Sequence, residues 1–407
     1  MLATHIPDDM FTGDAIADPY AYYGRIRDQD PIHWNETYQM WAVTRYDDLT
    51  WLTRHHELFS SAVFKKDPRG PYPAIDESDL GLYDYVKNYQ GDQFIQHDRP
   101  EHLEMRRIVH GYFTPKSMEA WRPFVRDAVK SLLDAAEAKG EMDVMRDLAT
   151  PLPVLVIAEM MGVPASDRGH VRELAEKLLY IGRGEYDRMK PLTEGMRGMV
   201  DYVSPLVDER MKNPGDDFIS VLASGEKKGV FTRHEVLVNS SLLLLAGHET
   251  TINLICNGTL ALLRHPEQWA LYKTDPAGLA KLATEECLRY DSPVKSIQRI
   301  ASEDVEMRDK VLRKDERIRW FISSANRDPA AFPDPDRFDI TRHPNQHVAF
   351  GSGTHHCLGA TLARVEGQEV FRALAERFPN LTMAPAELEY QPSITFRSLK
   401  ALPVTLH

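Results

Sequence analysis

Cysteine is scarce in this chain, and the scarcity is informative. Only Cys256, Cys287 and Cys357 occur in 407 residues. Three widely spaced cysteines do not make a disulfide framework, so a reducing, cytoplasmic setting is expected. Positive charge is also in deficit: 49 Lys and Arg against 61 Asp and Glu give a formal net charge of −12. That balance argues against a general nucleic-acid partner. Long apolar runs are missing. The most apolar stretch, residues 242–246, is far too short to span a bilayer, and residues 1–18 are polar and acidic rather than signal-like. No membrane association is expected. No repeat or low-complexity linker divides the chain, so residues 1–407 are read as one large domain.

What is present is mostly helical punctuation. Asp18-Pro19-Tyr20 opens a helix reaching Gln29, and short strands follow at residues 32–34 and 40–44. Helical patterns cover 100–112, 118–138, 151–161, 166–181, 190–212, 233–264, 266–273, 276–290 and 358–378. Further strands are expected near 297–307, 311–322 and 393–406. One helix dominates. Thr232-Arg233-His234-Glu235 has capping-box spacing, and His265-Pro266 supplies the stop. At about 1.5 Å per residue the helix between them runs roughly 48 Å. Its middle is apolar on every face, which places it through the core. The expected class is mainly α with small β-sheets around a long central helix.

Chemistry concentrates in three places. Phe350-Gly351-Ser352-Gly353-Thr354-His355-His356-Cys357-Leu358-Gly359 frames one cysteine with glycines at the start of a helix. Glycine lets backbone N–H groups approach a ligand closely, and a helix N-terminus favours thiolate. A lone cysteine is otherwise usually a small buried hydrophobe. A zinc site built on His355, His356 and Cys357 is disfavoured by their adjacency. Within the central helix, Ala246-Gly247-His248-Glu249-Thr250-Thr251 sets a glycine and a carboxylate where a core helix avoids both. This reads either as a local opening with an acid and an alcohol beside a small ligand, or as a packing glycine with a satisfied polar patch. Third, Glu286-Cys287-Leu288-Arg289 puts Glu and Arg on one helix face.

Together these segments resemble the cytochrome P450 family. The loop fills every fixed position of Phe-Gly-x-Gly-x-His-x-Cys-x-Gly, and the other two match the oxygen-binding and Glu-x-x-Arg signatures. The resemblance runs from about Asp18 to His407 and is closest to the soluble bacterial type. It implies the P450 fold and a haem b whose iron takes Cys357 as axial thiolate. It further implies Phe350, Gly351, Gly359, Ala246 and Gly247 around the cofactor, with His102, Arg106, Arg299 and His355 on its propionates. Thr250 would stand beside dioxygen and Glu249 would supply protons, with His248 structural. Glu286, Arg289 and Arg337 would form a structural cluster locking the cysteine loop. Two departures stand out: the hairpin that carries Gly-Gly in the family reads Glu306-Met307-Arg308-Asp309-Lys310, and residues 64–96 are long, charged and tyrosine-rich.

The implied reaction is insertion of one oxygen atom from O2 into a medium-sized hydrophobic substrate. Candidate substrate positions are Tyr89, Phe94, Ile95, Leu243, Ala246, Val294, Ile297, Ile394 and Thr395. The chain ends about 50 residues after Cys357, so electrons are expected from a separate ferredoxin and its NAD(P)H-dependent reductase. Docking is expected near Arg107 and Arg364. Two alternatives stay open: a peroxide-driven haem-thiolate peroxygenase, which the Glu249-Thr250 pair disfavours, and a non-catalytic haem gas sensor.

Overall fold

The computed structural model describes residues 13–66, 79–178 and 189–406. The central helix spans Arg233–Arg264 without interruption, and its capping box is formed: Glu235 N donates to Thr232 Oγ1 at 3.2 Å and Thr232 N donates to Glu235 Oε2 at 2.7 Å. Pro266, which cannot donate, opens the next helix. From Val236 to Leu244 and from Thr251 to Leu262 nearly every side chain is buried. Each fully buried aliphatic side chain contributes about 1.5–3 kcal/mol, so packing rather than propensity holds this helix. Around it lie the helices Pro151–Met160, Met189–Lys212, Phe218–Lys227, Pro276–Tyr290 and Ala360–Arg377, all in contact with it.

A five-stranded sheet stands beside the helices. Its order is Ile32–Asn35, Met40–Val43, Arg317–Phe321, Ser296–Ala301, Phe59–Ser60, and only the second and third of these are parallel. Side chains alternate between faces along a strand. The register Ile297↔Trp320 and Gln298↔Arg319 therefore puts Ile297, Arg299 and Trp320 on one face and Gln298 and Arg319 on the other.

Several expected elements are divided. The helix anticipated at 118–138 is two, Pro115–Glu119 and Arg122–Lys139, because Pro123 sits where a new helix begins. The strand at 297–307 breaks at Ser302-Glu303-Asp304, the one at 311–322 is Lys310–Leu312 followed by Arg317–Phe321, and within 393–406 only Pro403–Thr405 is strand. The helix anticipated at 166–181 is Arg168–Leu178; residues 179–181 lie outside the described residues. Helices Tyr46–Arg54, Leu80–Gly91 and Phe218–Lys227 were not anticipated, although Asp217 caps the last by accepting from Ser220 N at 2.8 Å. Of the tyrosine-rich 64–96 stretch, residues 67–78 lie outside the described residues. The hairpin lacking Gly-Gly still turns tightly, with Met307 opposite Lys310. Arg308 takes the left-handed conformation (φ 56°) that glycine would favour, and its Nε is held by Asp48 at 2.9 and 3.0 Å. Among the described residues no helix is long and apolar enough to cross a membrane.

Candidate active site

The cysteine loop owes its shape to two glycines with positive φ, Gly351 at 66° and Gly353 at 68°. At Gly353 a Cβ would lie 2.4 Å from the Thr53 carbonyl oxygen, so only glycine fits. Cys357 N closes the loop by donating to Phe350 O at 2.9 Å, and Gly359 caps the helix Ala360–Arg377. Cys357 keeps exposed surface, whereas Cys256 and Cys287 are buried, with burial pushing their thiols up. Desolvation of its sulfur also raises the Cys357 thiol, opposed by the Gly359 N–H and by the Arg106 and Arg364 guanidiniums. It is thus the one of the three cysteines flanked by guanidiniums, which favour thiolate. The Phe350 ring lies under the Arg364 guanidinium, 4.5 Å from its centroid.

Four cationic or ionisable groups from three elements converge beside this loop. His102, fully buried, stacks on His355 with ring centroids 3.9 Å apart. Neither His102 nitrogen has a partner. His355 meets Ser61 Oγ at 2.9 Å, Arg106 Nη2 donates to His356 O at 2.6 Å, and Arg299 Nη1 donates to Gln298 O at 2.8 Å while its guanidinium lies over Trp320. No carboxylate pairs with any of the four among the described residues. Burial, reinforced by Arg106 and Arg299, holds His102 down to about 4; burial with Arg299 and His102 holds His355 down to about 2. Burial lowers Arg299 to about 10. Repelling, desolvated, unneutralised donors are what a dianionic ligand would relieve. The residues present therefore fit a cofactor with two carboxylates and a thiolate-seeking metal.

On the central helix, Ala246 is exposed between half-buried Leu245 and Gly247, although Leu244 and His248 on either side of them are buried. Gly247 faces Ile157, whose Cδ1 lies 2.5 Å from where a Cβ would stand, so this glycine packs a helix pair. Thr250 Oγ1 donates back to Ala246 O at 2.7 Å, and half-buried Glu249 accepts from Ser398 Oγ at 2.7 Å. His248 is buried with Nε2 3.1 Å from Thr150 O.

The expected structural cluster needs one correction. Glu286 and Arg289 are both fully buried and pair at 2.8 Å. The second arginine on Glu286 is Arg342, with Nε at 3.3 Å, not Arg337. Arg337 offers only its backbone carbonyl to Arg289 and Arg342, while its own side chain is 65% exposed. The candidate substrate positions divide. Tyr89 and Phe94 are core: the Tyr89 hydroxyl bonds Ser241, and Phe94 N donates to Asn239 Oδ1 at 2.8 Å. Ile95 is exposed, and Leu243, Val294, Ile297, Ile394 and Thr395 are half-buried. Arg107 is exposed, but Arg364 is neutralised by Glu285 at 2.7 and 2.8 Å. Buried Glu366, which the motifs did not single out, accepts from Thr251 Oγ1 at 3.4 Å and is raised by burial to about 8. Only packing from both neighbouring helices reveals it.

Comparison with known proteins agrees with this site. The family profile described as Cytochrome P450 matches residues 279–398. The chain is 37% identical to a biotin biosynthesis cytochrome P450 of Bacillus subtilis, over 97% of this chain and 98% of that one. It is also 37% identical to the monooxygenase PikC of Streptomyces venezuelae, over 96% and 92%. Among solved structures, P450BioI in complex with a hexadec-9Z-enoic acid ligated acyl carrier protein superposes with a TM-score of 0.87 at 35% identity, covering 97% of this chain and 100% of that one. CYP109E1 from Bacillus megaterium in complex with testosterone gives a TM-score of 0.84 at 33% identity, covering 97% and 100%. The chain belongs to the cytochrome P450 family of haem-thiolate monooxygenases.

Proposed function

We propose that residues 1–407 work as one haem-thiolate monooxygenase domain in which Cys357 is the axial ligand, His102, Arg106, Arg299 and His355 hold the propionates, and Glu249 and Thr250 carry protons. The observation that carries this reading is the group of two guanidiniums and two neutral imidazoles, none of them paired with a carboxylate among the described residues, beside an exposed, donor-flanked cysteine. When bound, haem b supplies the iron that activates dioxygen, with the thiolate donating electron density. The protein's part is placement. Phe350, Gly351 and Gly359 shape the ligand loop, Ala246 presents a small side chain beside the cofactor, and Gly247 lets the helix Pro151–Met160 close against the central helix behind it. Thr250 spends its hydroxyl hydrogen on Ala246 O, leaving its oxygen free to accept a proton donor. Glu249, tied to Ser398 on one oxygen, takes protons from the solvent side.

The substrate is a hydrophobic organic molecule bordered by Leu243, Val294, Ile297, Ile394 and Thr395, with Tyr89, Phe94 and Ile95 supporting it from behind. The relatives' ligands, an acyl chain and a steroid, are likewise large and apolar. Electrons come from a ferredoxin and its reductase in the cytoplasm, docking near exposed Arg107 rather than at Arg364. Coupled turnover that ignores ionic strength would overturn that face.

The test is the difference spectrum of the reduced carbon monoxide complex. Wild type should give the strongly red-shifted Soret band of thiolate ligation and Cys357→Ser should lose it. An unchanged band in the variant means another ligand. Thr250→Ala should keep haem and substrate binding but divert electrons to peroxide. Intact coupling there would remove the threonine from the proton path and favour the peroxygenase alternative.

A further inference from the structure

Asn239 on the central helix is 2% exposed, and it bonds the segment that joins the helices Leu80–Gly91 and Glu101–His110. Its Oδ1 accepts from Phe94 N at 2.8 Å. Its Nδ2 donates to Glu235 O one turn back at 2.7 Å and, at a longer 3.4 Å, to Asp92 O. Asparagine is a poor residue for a helix interior, because its side chain competes for backbone groups. Here that competition ties a second piece of chain to the helix. Tyr89, in the last turn of the preceding helix, adds a bond from its hydroxyl to Ser241. Two further contacts on the outer side are long: His97 Nε2 stands 3.8 Å from Glu235 Oε1, and His234 Nε2 stands 3.6 Å from Asp92 Oδ2. The Phe94–Asn239 bond is therefore the short, buried anchor of residues 92–97.

The helix face it occupies gives the anchor its meaning. At 3.6 residues per turn, positions 239, 243, 246 and 250 fall within about 60° of one another. Asn239 thus shares its face with half-buried Leu243, exposed Ala246 and Thr250. Ala246 follows it by two turns, about 10 Å along the axis. The segment crosses the same face that fronts the candidate site. On its other side the Phe94 ring lies nearly parallel to His102, with centroids 6.1 Å apart and 13° between planes, and His102 in turn stacks on His355. Phe94 therefore has its backbone tied to the central helix and its ring laid against the proposed propionate group. Ile95, beside it, keeps 38% of its surface exposed. We propose that Asn239 is a positioning residue for substrate: by holding the Phe94 amide it fixes residues 92–97 over the central helix, and with them the apolar wall that Phe94 and Ile95 give to the substrate. This rests on the monooxygenase reading above. Asn239 acts through Phe94, touching neither substrate nor cofactor itself.

The experiment compares wild type with Asn239→Leu, which keeps a branched side chain and removes the acceptor and both donors. The haem-loaded proteins are titrated spectroscopically with imidazole and with 1-octylimidazole, which offer the iron the same nitrogen and differ by an apolar tail. The tail should tighten binding to wild type, because it buries apolar surface against the wall. The variant should lose at least about fivefold of that gain, while imidazole affinity and the carbon monoxide band stay unchanged. Amide exchange over residues 92–97 should quicken at least about tenfold in the variant, and exchange over the helix Glu101–His110 should not. The proposal is overturned if the tail adds nothing in wild type or adds equally in both proteins. It is also overturned if both ligands weaken alike, which is the mark of a general loss of structure, or if exchange over 92–97 is unaltered. Should Asn239→Leu fail to fold, wild type decides alone: exchange at the Phe94 amide should slow when 1-octylimidazole binds and not when imidazole binds, and no difference overturns the proposal. A wild-type protein without the red-shifted band, yet with the tail gain and its loss in the variant, would instead sink the monooxygenase reading alone.

Discussion

Two groups of charged side chains lie near the cysteine loop, and they are solved in opposite ways. The Glu286 group closes on itself. Arg289 gives Nε and Nη2 to the Glu286 carboxylate at 2.8 Å each, and its remaining donors go to the carbonyls of Asn326, Pro335 and Arg337 at 2.9, 2.7 and 3.1 Å. Glu286 also accepts from Asp339 N and Asn345 Nδ2. The His102–Arg106–Arg299–His355 group stays open, with both His102 nitrogens orphaned and no carboxylate paired with any member among the described residues. A closed network stabilises the chain that contains it, whereas an open one is completed by something that is not protein.

The comparison breaks most visibly at Glu286. Glu286→Ala strands a fully buried guanidinium, a loss of about 3–5 kcal/mol from a total of about 5–15. The expected outcome is almost no folded holoprotein, read as yield and as the amplitude of the carbon monoxide band. Normal yield would mean that Arg289 finds other acceptors and the network is not what closes the loop. Glu366 shows a third solution, a buried acid that stays protonated. Its folded pKa of about 8 stands above its usual 4.5, so from pH 4.5 to 8 the folded state keeps a proton that the unfolded state releases. Stability contributed by this group is full below pH 4.5 and is lost as pH rises through 8, at about 1.4 kcal/mol per pH unit within that window. Glu366→Gln should flatten that slope in chemical denaturation at pH 5, 6.5 and 8. An unaltered slope would place the titration elsewhere.

At the open group the expected effect is smaller and its sign depends on the ligand. Arg299→Leu removes one charge-assisted contact, worth about 1.5–3 kcal/mol, so haem should leave for an acceptor protein roughly tenfold to a hundredfold faster. The same variant should not destabilise the haem-free protein, because it removes a desolvated cation that no carboxylate pairs with among the described residues. Destabilisation of both forms would reclassify Arg299 with the closed group.

How much of this was legible in the sequence follows from locality. The central helix announced itself through Thr232, Glu235 and Pro266, because capping and breaking are decided within a few residues. The cysteine loop was legible because its glycines are demanded by backbone shape at Gly351 and Gly353. His102, Arg106, Arg299 and His355 carry no common local signal, and only the resemblance brought them to one place. Asn239 and Glu366 stayed hidden for the same reason: a polar residue on a helix reads as solvated until a second layer covers it. The strand breaks at Ser302 and the split at Ala120 were lost because short elements give too few periods to fix their ends.

Arg337 and Arg342 make the finest test, since five residues in one irregular loop separate a motif's apparent arginine from the working one. No periodicity orients side chains there, so the sequence alone could not choose between them. In the structure the exposed Arg337 contributes a carbonyl, which any residue supplies, and a distant 3.9 Å pairing with Asp339. Arg342 contributes a guanidinium that reaches Glu286 and bridges the carbonyls of Pro333, Asp334 and Arg337 at 2.8, 3.1 and 3.0 Å. Arg337→Ala should therefore alter stability by no more than about 0.5 kcal/mol, while Arg342→Ala should cost about 1–3 kcal/mol. Denaturation midpoints of the two variants decide it. A larger loss at Arg337 would mean that its side chain, not its backbone, completes the closed network.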